Sequence, residues 1–252
     1  MLEPNVLEAY ISNYYGYGNW QSDIWFVGME EGGGKSLEEV QRRLESWQSN
    51  PNNLIDNKEH HERIGLSQFF KNGTYQQTWW KLIRFKLSLE GKLIGNPSKD
   101  TEMIRNIQKN SWGRRNSDNA LLDLFPLPSP GEGDWLYGTL KWTDIQYLQS
   151  RDSYRETLRG KRTQFIRQKI KFHRPKVVVF YSTGYIPYWN EIAECDFNSD
   201  EVSTFVQNKN LMKFLSKDDT CFIQMPQPSA AWANSFWDEA GMVIRKHIQF
   251  KN

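Results

Sequence analysis

The chain has 252 residues, 25% of them charged and 38% hydrophobic, which is enough for one large or two small globular domains. A formal net charge of +2 excludes a globally basic nucleic-acid binder, and two cysteines, Cys195 and Cys221, exclude a four-cysteine zinc site or an iron–sulfur cluster. The N-terminus lacks a basic-then-apolar leader and no run of about twenty apolar residues occurs, so the expectation is a cytoplasmic protein with no membrane span.

In chain order, the first strong element is Ile24 to Gly28, an apolar run of strand character that stops at a glycine. Glu30 and Glu31 follow, then Gly32-Gly33-Gly34 and Lys35-Ser36. Leu37, Val40 and Leu44 then recur at helical spacing, with Ser36 as N-cap and Glu39 three residues on. From about 48 to 119 the chain reads as polar helices and loops, with one helix suggested by Trp79, Leu82, Ile83 and Phe85. Its apolar content looks too low for a separate core, so it is expected to be a helical and loop insertion in a single domain.

Ala120 to Phe125 is the second strand and opens into a rigid proline-rich loop, residues 126–134. Arg151 to Lys176 is strongly basic around an apolar stripe of Phe165, Ile166 and Ile170. Lys176 to Tyr181, β-branched and aromatic, is the third strand. Thr220 to Met225 is the fourth, ending in Pro226-Gln227-Pro228-Ser229 before a closing helix, Ala231 to Ile248. Strands buried on both faces and alternating with helices predict a three-layer α/β/α sandwich on a mostly parallel four-stranded sheet. Aromatics make up 14% of the chain, with 11 Trp, which suits either a ring-rich core or a site that stacks a flat ligand.

Open α/β sheets put their chemistry in the loops past the carboxyl ends of their strands. Gly34-Lys35-Ser36 matches the end of a phosphate-binding loop, but that motif requires glycine where Met29 stands, and Glu30 and Glu31 would sit where phosphates need donors. Taken together, the loops point elsewhere. A strand ending in Gly-Met-Glu-Glu-Gly, a later strand ending in a proline-rich loop, and a last strand ending in Met-Pro-Gln-Pro-Ser-Ala resemble the uracil-DNA glycosylase superfamily. In that family the first motif runs Gly-x-Asn-Pro-Gly or Gly-x-Asp-Pro-Tyr. The last is His-Pro-Ser, or Met-Pro-Ser-Ser-Ser-Ala in the thymine-DNA glycosylase branch. Four short segments, in the family's order, carry the resemblance.

The resemblance implies the family's fold and a monofunctional glycosylase that flips a base from double-stranded DNA and leaves an abasic site, working as a monomer without metal or cofactor. It puts Glu30 at the water-positioning acid, with Glu31 the alternative if the register shifts by one, and Gln227 at the family's histidine. Gly28, Met29, Gly32, Asp123, Phe125 and Ser229 fall on the base-binding positions. A carboxylate beside the sugar stabilises the cation that forms there, and neutral donors such as the Gln227 amide and the Ser229 hydroxyl stabilise the departing base. Arg114, Arg115, Arg159, Lys161 and Arg162 are candidate phosphate contacts and Trp232 a candidate wedge.

Gly32 stands where strict uracil enzymes wall off the C5 edge with a tyrosine, and Asp123 offers an acceptor to a cytosine N4 amino group. Both favour a 5-modified cytosine, as in the anti-phage glycosylases of this wider class, some of which remove glucosylated cytosine. Two rival classes stay open: an inactive nucleic-acid binder on the same fold, and a nucleotide-binding enzyme using the glycine loop.

Overall fold

A computed structural model describes residues 2–71, 74–131, 133–140, 145–229 and 233–248. Its strands are β1 (Gly16–Gly18), β2 (Ile24–Gly28), β3 (Leu54–Ile55), β4 (Asn119–Asp123), β5 (Val177–Tyr181), β6 (Ser203–Gln207), β7 (Asn210–Lys217) and β8 (Thr220–Met225). Its helices are α1 (Pro4–Asn13), α2 (Leu37–Gln48), α3 (Asn57–Arg63), α4 (Gln77–Leu89), α5 (Pro97–Asn110), α6 (Arg151–His173), α7 (Ile186–Ala193) and α8 (Asn234–Ile248).

All eight strands form one mixed sheet in the order β3-β1-β4-β2-β5-β8-β7-β6. The four strands read from the sequence are its centre, β4-β2-β5-β8, and run parallel to one another. The expected four-stranded sheet is therefore too small. β1 adds antiparallel to β4 with β3 beside it, and the β6–β7 hairpin adds antiparallel to β8. The reason these were missed is physical. β1 and β3 have three and two residues. β6 and β7 lie at the edge, with mostly exposed or half-buried side chains and no apolar run. β1 reaches β4 only because Gly16 has no side chain: a Cβ there would lie 2.0 Å from the Leu121 carbonyl oxygen.

Helices cover both faces. On β2, Phe26 packs on Phe85 of α4 and on Trp112, while Trp25 packs towards His173 of α6. On one side α8 lies against α4 so closely that Gly241 meets the Phe85 carbonyl; on the other α6 packs with α7. The 48–119 segment contributes more than expected. Leu82, Ile83, Phe85, Leu87, Leu89, Ile104 and Trp112 all join the one core. Most of the aromatic content is core too, with Trp25, Trp112, Trp189 and Trp237 fully buried.

α2 begins as the spacing predicts, with the Ser36 side chain accepting from the Glu39 amide. α6 is a single helix of 23 residues. Among the described residues no helix is long and apolar enough to cross a membrane.

Candidate functional site

The four central strands, taken in chain order, are arranged second, first, third, fourth across the sheet. The chain leaves β2 to one side for β4 and later returns to its other side for β5. That reversal is the topological switch point, where open α/β sheets form a crevice outside their carboxyl ends. Register places Asp123 beside Gly28 and Tyr181 beside Met225, so the ends of all four strands lie on one line. A cleft of about 1010 Å³ opens there. Met29 to Gly33, Asp123, Tyr181, and Gln227 with Ser229 line it from the four strand ends.

Glu30 and Glu31 both reach the cleft but sit in different company. Glu30 is ion-paired to Arg151, and Arg155 stands 3.4 Å from the same oxygen. Two guanidiniums around one carboxylate leave this side net positive. Glu31 shares the buried guanidinium of Arg43 with Glu39, so two carboxylates divide one cation and this buried cluster is net negative. Glu31 Oε1 also accepts from the Tyr17 hydroxyl at 2.7 Å, and His61 Nε2 lies 3.4 Å from it. Burial pushes the Glu31 carboxyl up, but Arg43, the two histidines of α3 and the Tyr17 hydroxyl outweigh it and hold the group below the usual carboxylate range.

Asp123 behaves in the opposite way. Burial drives its carboxyl well above the usual range and the nearby Glu31 charge adds to the rise, against the weaker pull of Arg162 and Arg43. Burial at the floor of the cleft thus favours its protonated form, which has one O–H to donate and one oxygen to accept. Gln227 Oε1 is buried and has no hydrogen-bond partner among the described residues. Ser229 is exposed at the rim, and Gly32 is open, with nothing within 4 Å of where a side chain would project. Gly28 lies beneath the floor, because the Tyr181 ring covers it and a Cβ would meet the Tyr181 hydroxyl at 2.2 Å.

Several residues expected at the site have other work. Phe125 is fully buried among Tyr154, Tyr185 and Tyr188 and does not line the cleft. Arg162 faces no DNA. It is fully buried and donates to the carbonyls of Leu124, Tyr14 and Asp123 at 2.7–2.8 Å, fixing the chain that leaves β4. Arg159 is paired with Glu191 and stacks on Tyr188. Arg114 caps Asp56 at 2.7 Å. Arg115 and Lys161 are exposed, away from the cleft lining. Trp232 lies outside the described residues.

The phosphate-loop alternative also loses ground, because the Gly34 and Lys35 amides it needs are both taken by the Glu39 carboxylate at 3.0 Å.

What the sequence did not reveal is the second wall. His61, Arg63, Phe69, Gln76 and Trp79, all from the 48–119 segment, close the cleft opposite the strand ends. The adjacent pair His60-His61 in a chain with four histidines was the available signal. Among the described residues no ion pair engages Lys35, Arg42 or Arg63, three exposed cations on the cleft lining. No family model matches the chain, and no curated protein matches it either.

Proposed function

We infer that this protein is a monofunctional DNA glycosylase that removes a flipped 5-modified cytosine from double-stranded DNA and leaves an abasic site. The observation that carries the reading is the convergence on one cleft at the switch point of a carboxylate paired with Arg43, a second, buried carboxyl that burial pushes up, and an unpartnered amide oxygen. Cleavage of a base–sugar bond needs negative charge where the sugar becomes cationic and proton donors where the base becomes anionic. Glu31 suits the first role better than Glu30, because its surroundings are net negative and those of Glu30 net positive. The Glu30 side, with Arg151 and Arg155, suits a phosphate.

Asp123 suits the base as donor and acceptor, and the unpartnered Gln227 amide oxygen, an acceptor, suits its amino group. A neutral carboxyl accepts from the cytosine N4 amino group and donates to N3, and donation strengthens as the base leaves. Room at Gly32 and a volume at the upper end of small-molecule sites accommodate a bulky 5-substituent, a sugar among them. In this reading the protein acts as a cytoplasmic monomer, in repair or in defence against phage with modified DNA.

The test is a panel of duplexes carrying uracil, mismatched thymine, cytosine and 5-substituted cytosines, incubated with the protein and scored by alkaline strand scission. Scission is expected on a 5-substituted cytosine, faster than on uracil. Excision of uracil alone would move the protein to the ordinary uracil branch, and no scission on any duplex would leave only a binding role.

A further inference from the structure

His61 stands on α3, outside every motif loop. Its Nδ1 is 2.9 Å from the Asn57 carbonyl oxygen. A carbonyl only accepts, so Nδ1 carries the hydrogen and the neutral ring offers a lone pair at Nε2. That lone pair faces Glu31 Oε1 across 3.4 Å. Tyr17 already donates to this oxygen and Arg43 to its twin. Two acceptors thus meet at the cleft wall with no hydrogen between them. A water beside them supplies two.

The ring is held as a base should be. The 5.2 Å contact with Trp79, with Phe69 and Phe70 behind, keeps it from turning. The charged and titratable groups facing it are Glu31 from the loop after β2, Tyr17 from β1, Arg43 from α2 and His60 from its own helix. Burial pushes the imidazole down, and Glu31 and the Asn57 carbonyl recover only part of the drop.

We propose that His61 is the general base of the excision reaction, and that His61 and Glu31 together hold the attacking water. This rests on the glycosylase reading. The water oxygen bonds to C1′ of the sugar, the C1′–nitrogen bond breaks, and its electron pair leaves with the base. The water proton passes to His61 Nε2. The imidazolium then donates to Glu31 on one side and to the Asn57 carbonyl on the other, the same orienting logic as a hydrogen-bonded base in a catalytic triad.

Single-turnover excision on the best duplex of the panel, from pH 5 to 9, tests it. Wild type should gain rate with pH while the imidazole deprotonates and then level off. His61→Gln should lower the plateau by about a hundredfold or more and abolish that limb, with DNA affinity unchanged. Added imidazole should restore His61→Ala in proportion to its concentration. Thermal melts identify a variant that fails to fold, and nitrogen NMR of the wild-type ring, expected to show hydrogen on Nδ1, needs no variant. Wild-type rates in His61→Gln, an unchanged pH profile, no imidazole rescue in folded His61→Ala, or hydrogen on Nε2 would each overturn the base role while leaving the glycosylase reading intact. A wild type that releases no base from any duplex overturns both.

Discussion

The buried ion-pair clusters on the two sides of the cleft carry opposite charge, although adjacent residues supply their central carboxylates. On the α2–α3 side Glu31 and Glu39 divide Arg43, and the neighbouring histidines are held neutral by burial. On the α6 side Glu30 is flanked by Arg151 and Arg155. The loop after β2 sends the two adjacent side chains to different partners, Glu30 to α6 and Glu31 to α2. A one-residue register in the motif thus decides which of the two charge environments a carboxylate enters. The motif alone does not resolve that register; the partners around each carboxylate distinguish the two.

The largest expected effect concerns the residue that ties α6 to the sheet beneath the cleft. Arg162 on α6 satisfies three carbonyls, those of Tyr14 beside β1 and of Asp123 and Leu124 at the end of β4. Arg162→Met leaves these acceptors buried and unpaired, at about 1–3 kcal/mol for each. A loss of about 3 kcal/mol or more in urea unfolding is expected, against little change for Lys161→Met on the exposed face. Equal stability of the two variants would remove Arg162 from its anchoring role.

Next comes the comparison itself. Glu31→Gln should reduce single-turnover excision by about a hundredfold or more, the range for one electrostatic group in an active site. Glu30→Gln should stay within roughly tenfold of wild type and hold or tighten DNA binding, since it frees positive charge from Arg151 and Arg155. A reversed order, with Glu30→Gln the more damaging, would assign the cation-stabilising role to the α6 side.

The acid side is also where acid should weaken the fold. Burial lowers the His60 pKa from its usual value to about 3, and neither ring nitrogen has a partner among the described residues. The unfolded chain binds this proton at about pH 6.5 and the folded chain only near 3, so stability falls as pH drops through that window. By pH 5 the loss is roughly 2 kcal/mol. The stabilisation from Glu31, whose folded pKa is depressed, is lost only lower down, as pH falls below the usual carboxylate range. His60→Phe keeps the ring packing and should lessen the fall in melting temperature between pH 7 and 5, leaving the share of His61, whose imidazole burial also pushes down. An unchanged acid limb in that variant would show that another group titrates.

Much of this arrangement is legible in the sequence. Apolar runs ending at Gly28, near Asp123, and at Tyr181 and Met225 mark the central strands, because a strand buried on both faces has no polar alternation to blur it. Their order and direction place the chemistry of their end loops together. The opposite wall is not legible, because α3 shows no strong periodicity and His61 meets Glu31 only through tertiary packing 30 residues away. The basic segment misleads for a related reason. Composition does not distinguish Arg162, buried against carbonyls, or Arg159, paired with Glu191, from a cation free to meet DNA.

That distinction yields the smallest expected effect. Lys35 and Arg63 line the cleft, are exposed, and have no ion pair among the described residues. A cation that neutralises one phosphate releases about one counterion, so Lys35→Ala and Arg63→Ala should each weaken DNA binding several-fold. Each should also reduce the slope of log affinity against log salt by about one. Neither should change the rate at saturating enzyme, because a contact made equally in the ground and transition states moves binding alone. Arg159→Ala should change affinity less than about twofold, since its charge is already spent on Glu191 in a surface pair of small worth. If Arg159→Ala instead matched Lys35→Ala in salt slope, the DNA would cross α6 as the basic composition first suggested, and the cation side of the cleft would extend along that helix.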